Sequence, residues 1–173
     1  WLLDVDGVLN AARPGWGEQP AQGTAYVDGV AYLLRWAPSL VRRIASTHAA
    51  GGAEVRWCST WVDHVAQLER LLHLPRIGTA FTGVDPDSRD ARGLKIEAAL
   101  HVVEVERRPL IWTDDDAVPL GGSLHERLEA SGQPVILVRP HPVYGLQPED
   151  VAAIEEFIAE EASRSLAATE LAG

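Results

Sequence analysis

Residues 1–10 read WLLDVDGVLN, an apolar run that meets two carboxylates, Asp4 and Asp6, and then Gly7. Trp1 to Leu3 and Val5 have the character of a buried strand, where ionised groups are costly. Acids at i and i+2 of a strand share a side, so they repel. Either a positive group sits between them, or the strand ends there and delivers them to solvent.

The rest of the chain alternates in the same way. A Gly/Pro-rich loop at 11–26 is followed by AYVDGVAYLL, where Asp28-Gly29 between apolar runs signals a hairpin. Pro38 suits a first helical turn, with Leu40, Val41, Ile44 and Ala45 as its stripe and Gly51-Gly52 as its stop. EVRWCST at 54–60 reads as a second strand ending in Ser59 and Thr60, and Val62, Val65, Leu68 and Leu72 give a helical stripe. GTAFTGV at 78–84 reads as a third strand, DPDSRDARG at 85–93 as a polar loop, and 95–103 as a helix. PLIWTDDD at 109–116 is a strand that again ends in acids. A helix near 123–130, the strand PVILVRP and an amphipathic helix from about Glu149 complete the chain.

Repeated strand–helix alternation predicts an α/β fold with an open, mostly parallel central sheet. In such sheets ligands sit beyond the carboxyl ends of the strands, at the topological switch point. Asp4 and Asp6, Ser59 and Thr60, and Asp114 to Asp116 all lie at such ends, so the chemistry collects at one edge.

Bulk properties agree with one domain over residues 1–173. Hydrophobic content of 46% and charged content of 23% are those of a globular protein. A net charge of −10 argues against an extended nucleic-acid surface. The single cysteine, Cys58, excludes an internal disulfide framework and suits a reducing, cytoplasmic setting. No apolar run approaches the length of a membrane span. The chain has no Met and starts inside an apolar run, which reads as a trimmed start.

Carboxylates converging from two strands make sense around a hard divalent cation such as Mg²⁺, whose octahedron is completed by water and phosphate oxygens. One Asp beside such an ion can attack phosphorus, and a second can serve the leaving group as general acid/base. A Lys and a hydroxyl would neutralise the transferring phosphoryl oxygens. A calcium loop is excluded by register, because Gly7 at the sixth position puts Leu2 first and Arg13 twelfth, where acids are required.

The order of these parts resembles the haloacid dehalogenase-like (HAD) superfamily of hydrolases. LLDVDGVLN resembles its first motif, RWCST its second, Lys95 in RGLKIEAAL its third and LIWTDDD its fourth. WCSTW, IWTDDD and YGLQPEDV are similar to the small HAD domains of actinobacterial and RNA-repair-associated proteins. The resemblance implies a Rossmann-like three-layer sandwich and an Mg²⁺-dependent phosphatase acting through an aspartyl-phosphate. It makes Asp4 the nucleophile and Asp6 the general acid/base, with Ser59 (or Thr60) and Lys95 holding the phosphoryl oxygens. Asp4, Asp114, Asp115 and the backbone carbonyl of Asp6 would hold the metal.

Taken alone, Ser59 reads as a strand end and Lys95 as a solvated helix residue. Gly7, Asn10, Trp16 and Trp61 are the remaining substrate-binding candidates, the two tryptophans as residues that stack on a base or sugar at the rim. Neither interval flanking the second motif leaves room for a large cap domain. An open site, roofed by residues 11–32, favours a large phosphoester such as a polynucleotide end, with Arg13, Arg89, Arg92 and Arg139 as local contacts. Two rival readings use the same residues: a non-catalytic, partner-binding HAD-like domain, and a phosphotransferase or dehalogenase built on the same Asp.

Overall fold

The computed structural model describes residues 1–83 and 91–172, with side chains through residue 168. Its centre is a five-stranded parallel sheet formed by β1 (Leu2–Leu3), β4 (Arg56–Trp57), β5 (Gly78–Thr79), β6 (Leu110–Thr113) and β7 (Val135–Val138). Between β1 and β4 lie the antiparallel strands β2 (Ala21–Val27) and β3 (Val30–Trp36). The helices are α1 (Pro38–Ala49), α2 (Val65–Leu72), α3 (Ala91–Leu100), α4 (Ser123–Glu129) and α5 (Pro148–Ala172).

The sheet order is β5-β4-β1-β6-β7. The chain builds outward from β1 to β4 and β5, then crosses back to β6 and β7, so the switch point lies between β1 and β6. Register pairs Leu3 with both Trp57 and Thr113. The residues that follow are therefore set side by side: Asp4, the Cys58-Ser59 pair, and Asp114.

Apolar residues fill both faces, as the continuous apolar strands require. Leu3, Trp57 and Ile111 pack with Leu40 and Ile44 of α1, Leu68 of α2 and Ile154 of α5. Leu2, Cys58 and Trp112 point the other way, against Ala99 of α3, Val103 and Leu128 of α4. This alternation is the three-layer sandwich expected from the strand pattern. Each fully buried Leu or Ile contributes roughly 1.5–3 kcal/mol of transfer free energy.

The strands are shorter than their apolar runs. Beyond Thr79 the chain leaves the sheet, so GTAFTGV is a strand only at its start. Of the loop expected at 85–93, residues 85–90 lie outside the described residues and 91–93 belong to α3. Lys95 thus sits inside a helix rather than at its first residue. The hairpin forms at Asp28 and Gly29, whose φ angles of 49° and 81° are those of a tight turn matched to strand twist. Among the described residues no helix is long and apolar enough to cross a membrane.

Candidate active site

Four segments bring the site together. Asp4 follows β1, Ser59 follows β4, Asp114 and Asp115 follow β6, and Lys95 reaches in from α3. Asp4, at 4% exposure, and Asp114, at 0%, are buried acids next to each other across the switch point. Lys95 Nζ lies 2.6 Å from Asp4 Oδ2 and 2.7 Å from Asp114 Oδ2. This ammonium is the positive group that the two acid-ended strands demanded.

The hydrogen bonds fix each oxygen. Asp4 Oδ1 accepts the Val5 backbone N–H at 2.7 Å, and Oδ2 accepts Lys95 Nζ. The Ser59 side chain, fully buried, accepts the Trp61 backbone N–H through Oγ at 3.4 Å, and its hydroxyl helps to lower the Asp4 pKa. Thr60, one residue on, is exposed. Asp114 Oδ1 accepts the N–H groups of Asp116 and Ala117 at 2.9 and 2.6 Å. Asp114 Oδ2 has no hydrogen-bond donor among the described residues. Lys95 approaches it closely but off the hydrogen-bond direction, so that contact is ionic rather than a directed bond.

The carboxylates of Asp4, Asp114 and Asp115 each offer an oxygen within 4.8 Å of the others. Gly7 makes the third ligand possible. A Cβ at residue 7 would stand 2.3 Å from the Asp115 Cγ, and its φ of +68° also favours glycine. Three carboxylates face one ammonium, which leaves two negative charges uncompensated. An all-oxygen donor set with a buried, donorless Asp114 oxygen fits a hard divalent cation. Without one the site is costly: burial pushes the Asp4 pKa up to about 7, further raised by Asp114, against the lowering effect of Lys95 and Ser59. Burial draws the Lys95 pKa down, but Asp4 and Asp114 together more than reverse this and hold it charged. The Cys58 thiol is pushed up by burial first and by Asp4 next, which suits an inert packing residue.

Asp6 stands apart from the metal cluster. Its side chain is exposed, and both of its oxygens are held. Oδ1 accepts Asn10 Nδ2 at 2.7 Å and Oδ2 accepts the Trp61 indole N–H at 2.8 Å. Asn10, expected among the substrate contacts, borders the groove beside Asp6, and its Oδ1 accepts the Arg35 backbone N–H at 2.9 Å. Trp61 is likewise not at the rim. It is buried and packs edge-on against Tyr32 of β3, with ring centroids 5.6 Å apart.

Trp16 is not brought to the cluster either. Its indole N–H donates to the Leu146 carbonyl at 2.7 Å, and the Arg43 guanidinium lies 5.7 Å from its ring centroid. Arg43 in turn pairs with Glu155 of α5, so Trp16 braces the sandwich. Of the proposed basic contacts, Arg139 is committed to the backbone carbonyls of Asp115 and Val118, Arg13 and Arg92 are exposed, and Arg89 lies outside the described residues.

Beside Asp6 runs an open groove of about 450 Å³, bordered by Gly7, Asn10, Leu33, Arg35 and Pro142. Arg35 was not singled out from the sequence. The signal was available, since the hairpin alternation places Leu33 and Arg35 on one face, opposite the buried Leu34 and Trp36.

No curated protein and no solved structure matches the chain. A family model does, over residues 2–151: the HAD domain in Swiss Army Knife RNA repair proteins. That span contains every residue of the site just described, and by this match the chain belongs to that family of HAD domains.

Proposed function

We propose that this domain is an Mg²⁺-dependent phosphomonoesterase that works through an aspartyl-phosphate on Asp4, and that its substrates are phosphorylated polynucleotide ends. The observation that carries the reading is the Asp4–Lys95–Asp114–Asp115 cluster at the switch point, in which buried Asp4, Asp114 and Lys95 and half-buried Asp115 bring together more negative than positive charge. Family membership among RNA repair proteins supports the substrate class. So does the open groove that borders Asp6 and Gly7.

Asp4, Asp114, Asp115 and the backbone carbonyl of Asp6 would hold the Mg²⁺. When bound, it supplies charge neutralisation for the phosphoryl oxygens and the carboxylates. The chain's own groups do the rest. The Asp4 carboxylate attacks phosphorus and the bond to the leaving oxygen breaks. Asp6, aimed by Asn10 and Trp61, gives that oxygen its proton. Asp6 then takes a proton from a water whose oxygen attacks the phosphorus of the acyl phosphate, releasing inorganic phosphate and the free Asp4 carboxylate. Lys95 and Ser59 stabilise the equatorial oxygens, with Thr60 and Gly7 lining the approach.

Phosphate release from sugar phosphates, nucleotides and oligonucleotides phosphorylated at either end, with Mg²⁺ or with chelator, tests this directly. Turnover that requires Mg²⁺ and favours oligonucleotide ends is expected. Turnover indifferent to chelator, or confined to small sugar phosphates, would refute it.

A further inference from the structure

The groove beside Asp6 has a cationic wall to which the reaction above assigns no task. Arg35 is exposed on β3, and among the described residues no carboxylate lies within ion-pair distance of it. One guanidinium nitrogen, Nη1, donates to the Ala12 carbonyl at 3.1 Å, which fixes the group while leaving most of its five donors open. What sets Arg35 apart from the other arginines without an ion pair among the described residues is that it borders the groove beside Asp6.

Its placement relative to the chemistry is set by one side chain. Asn10 donates to Asp6 through Nδ2 and accepts from the Arg35 backbone through Oδ1, so a single carboxamide spans the gap between them. The hairpin carrying Arg35 is itself held. Gln67 bonds both the N–H and the carbonyl of Tyr26, at 2.8 and 2.6 Å, and Tyr32 rests on Trp61. Leu33, 62% exposed, and Pro142 supply apolar walls to the same groove. Beyond Arg35 a second hollow of about 290 Å³ continues past Gln19, Pro20 and Gln22.

We infer that Arg35 forms a subsite for the next phosphate of the substrate's leaving group, with Leu33 and Pro142 against the intervening sugar and base. The substrate class is then a terminal phosphomonoester whose leaving group carries a phosphodiester one nucleotide away. A guanidinium suits this task because its fork matches two phosphate oxygens. The inference rests on the phosphomonoesterase reading for the position of the reacting end, and its test keeps the two separable.

The test has a binding arm and a turnover arm. In the first, a terminally phosphorylated dinucleotide is titrated onto Asp4→Asn protein, with and without Arg35→Ala or Arg35→Lys, over a range of salt concentrations. Arg35→Ala should weaken binding about tenfold and flatten the salt slope by about 0.7, the value of one single-strand phosphate contact. Arg35→Lys should keep the slope and part of the affinity. In the second arm, kcat/KM is measured for the dinucleotide and for an aryl phosphate, and their ratio should fall about tenfold in Arg35→Ala, through KM. An unchanged ratio and an unchanged salt slope overturn the subsite. Absence of turnover with the binding contrast intact refutes the hydrolase reading and upholds the subsite.

Discussion

The indole N–H of Trp61 donates to Asp6 Oδ2 at 2.8 Å, from a position two residues beyond Ser59. One short segment therefore places the Ser59 hydroxyl near Asp4 and gives Asp6 an orienting bond. Trp61→Phe keeps an aromatic ring beside Tyr32, removes the donor and leaves a small cavity. For an aryl phosphate we expect kcat to fall about tenfold with KM nearly held, as for a lost orienting bond worth 1–2 kcal/mol. Equal losses of kcat and thermal stability would make Trp61 a packing residue only.

Gly7 gives Asp115 its place. Gly7→Ala puts a methyl 2.3 Å from the Asp115 Cγ at a φ of +68°. The third ligand must shift, at a cost of roughly 1–3 kcal/mol for the strained backbone. The thermal shift on adding Mg²⁺ should shrink accordingly. An unaltered shift would remove Asp115 from the metal set.

The site also sets a pH dependence in chelator. Burial raises the Asp4 pKa from 3.8 to about 7 in the folded state. The folded protein then holds a proton that the unfolded chain has released, so stability falls as pH rises through that interval. Unfolding free energies of metal-free protein between pH 4 and 8 should show this slope, and Asp4→Asn should flatten it. Mg²⁺ at a hundred times its Kd should add about 2.7 kcal/mol at pH 8. A metal-free protein more stable at pH 8 than at pH 5 would contradict the electrostatics described.

An ion-pair network away from the site behaves oppositely. Arg56 reaches Glu106 with two bonds, at 2.5 and 3.0 Å, and both side chains are largely buried. The bonds from Arg56 hold the Glu106 pKa below its usual 4.5. Because the folded pKa is depressed, this stabilisation is present above pH 4.5 and lost as pH falls below it. Glu106→Gln should cost roughly 1–2 kcal/mol at pH 7. The cost should vanish at low pH, and a penalty that is the same at pH 3 would assign it to packing.

The sheet and the acids after β1 and β6 were legible because they follow from periodicity and from carboxylates placed after apolar strands, whereas Ser59 and Lys95 stood out only through the family resemblance. Leu3 facing one core and Leu2 the other needs only alternation along β1. What the chain order hid were contacts between distant residues. Trp61 looked like an aromatic platform, since nothing local marks an indole whose N–H will find Asp6 fifty-five positions earlier in the chain. Trp16 lies in a loop after Asp4, yet Leu146 and Arg43 draw it to the body of the sandwich. Asn10 follows the first motif, and its bond to the Arg35 backbone depends on where β3 docks. Residue spacing encodes faces and registers, and these three roles depend on how separate elements dock.

The central claim is that Asp4 forms a covalent bond to phosphorus. Acid quenching of the enzyme during turnover of a radiolabelled phosphomonoester with Mg²⁺, followed by peptide mapping, tests it most directly. The account predicts label on the peptide containing Asp4, released by hydroxylamine as an acyl phosphate is, and no label in Asp4→Asn, whose turnover falls by orders of magnitude. Turnover that leaves no label on wild-type protein and persists at the wild-type rate in Asp4→Asn would contradict it.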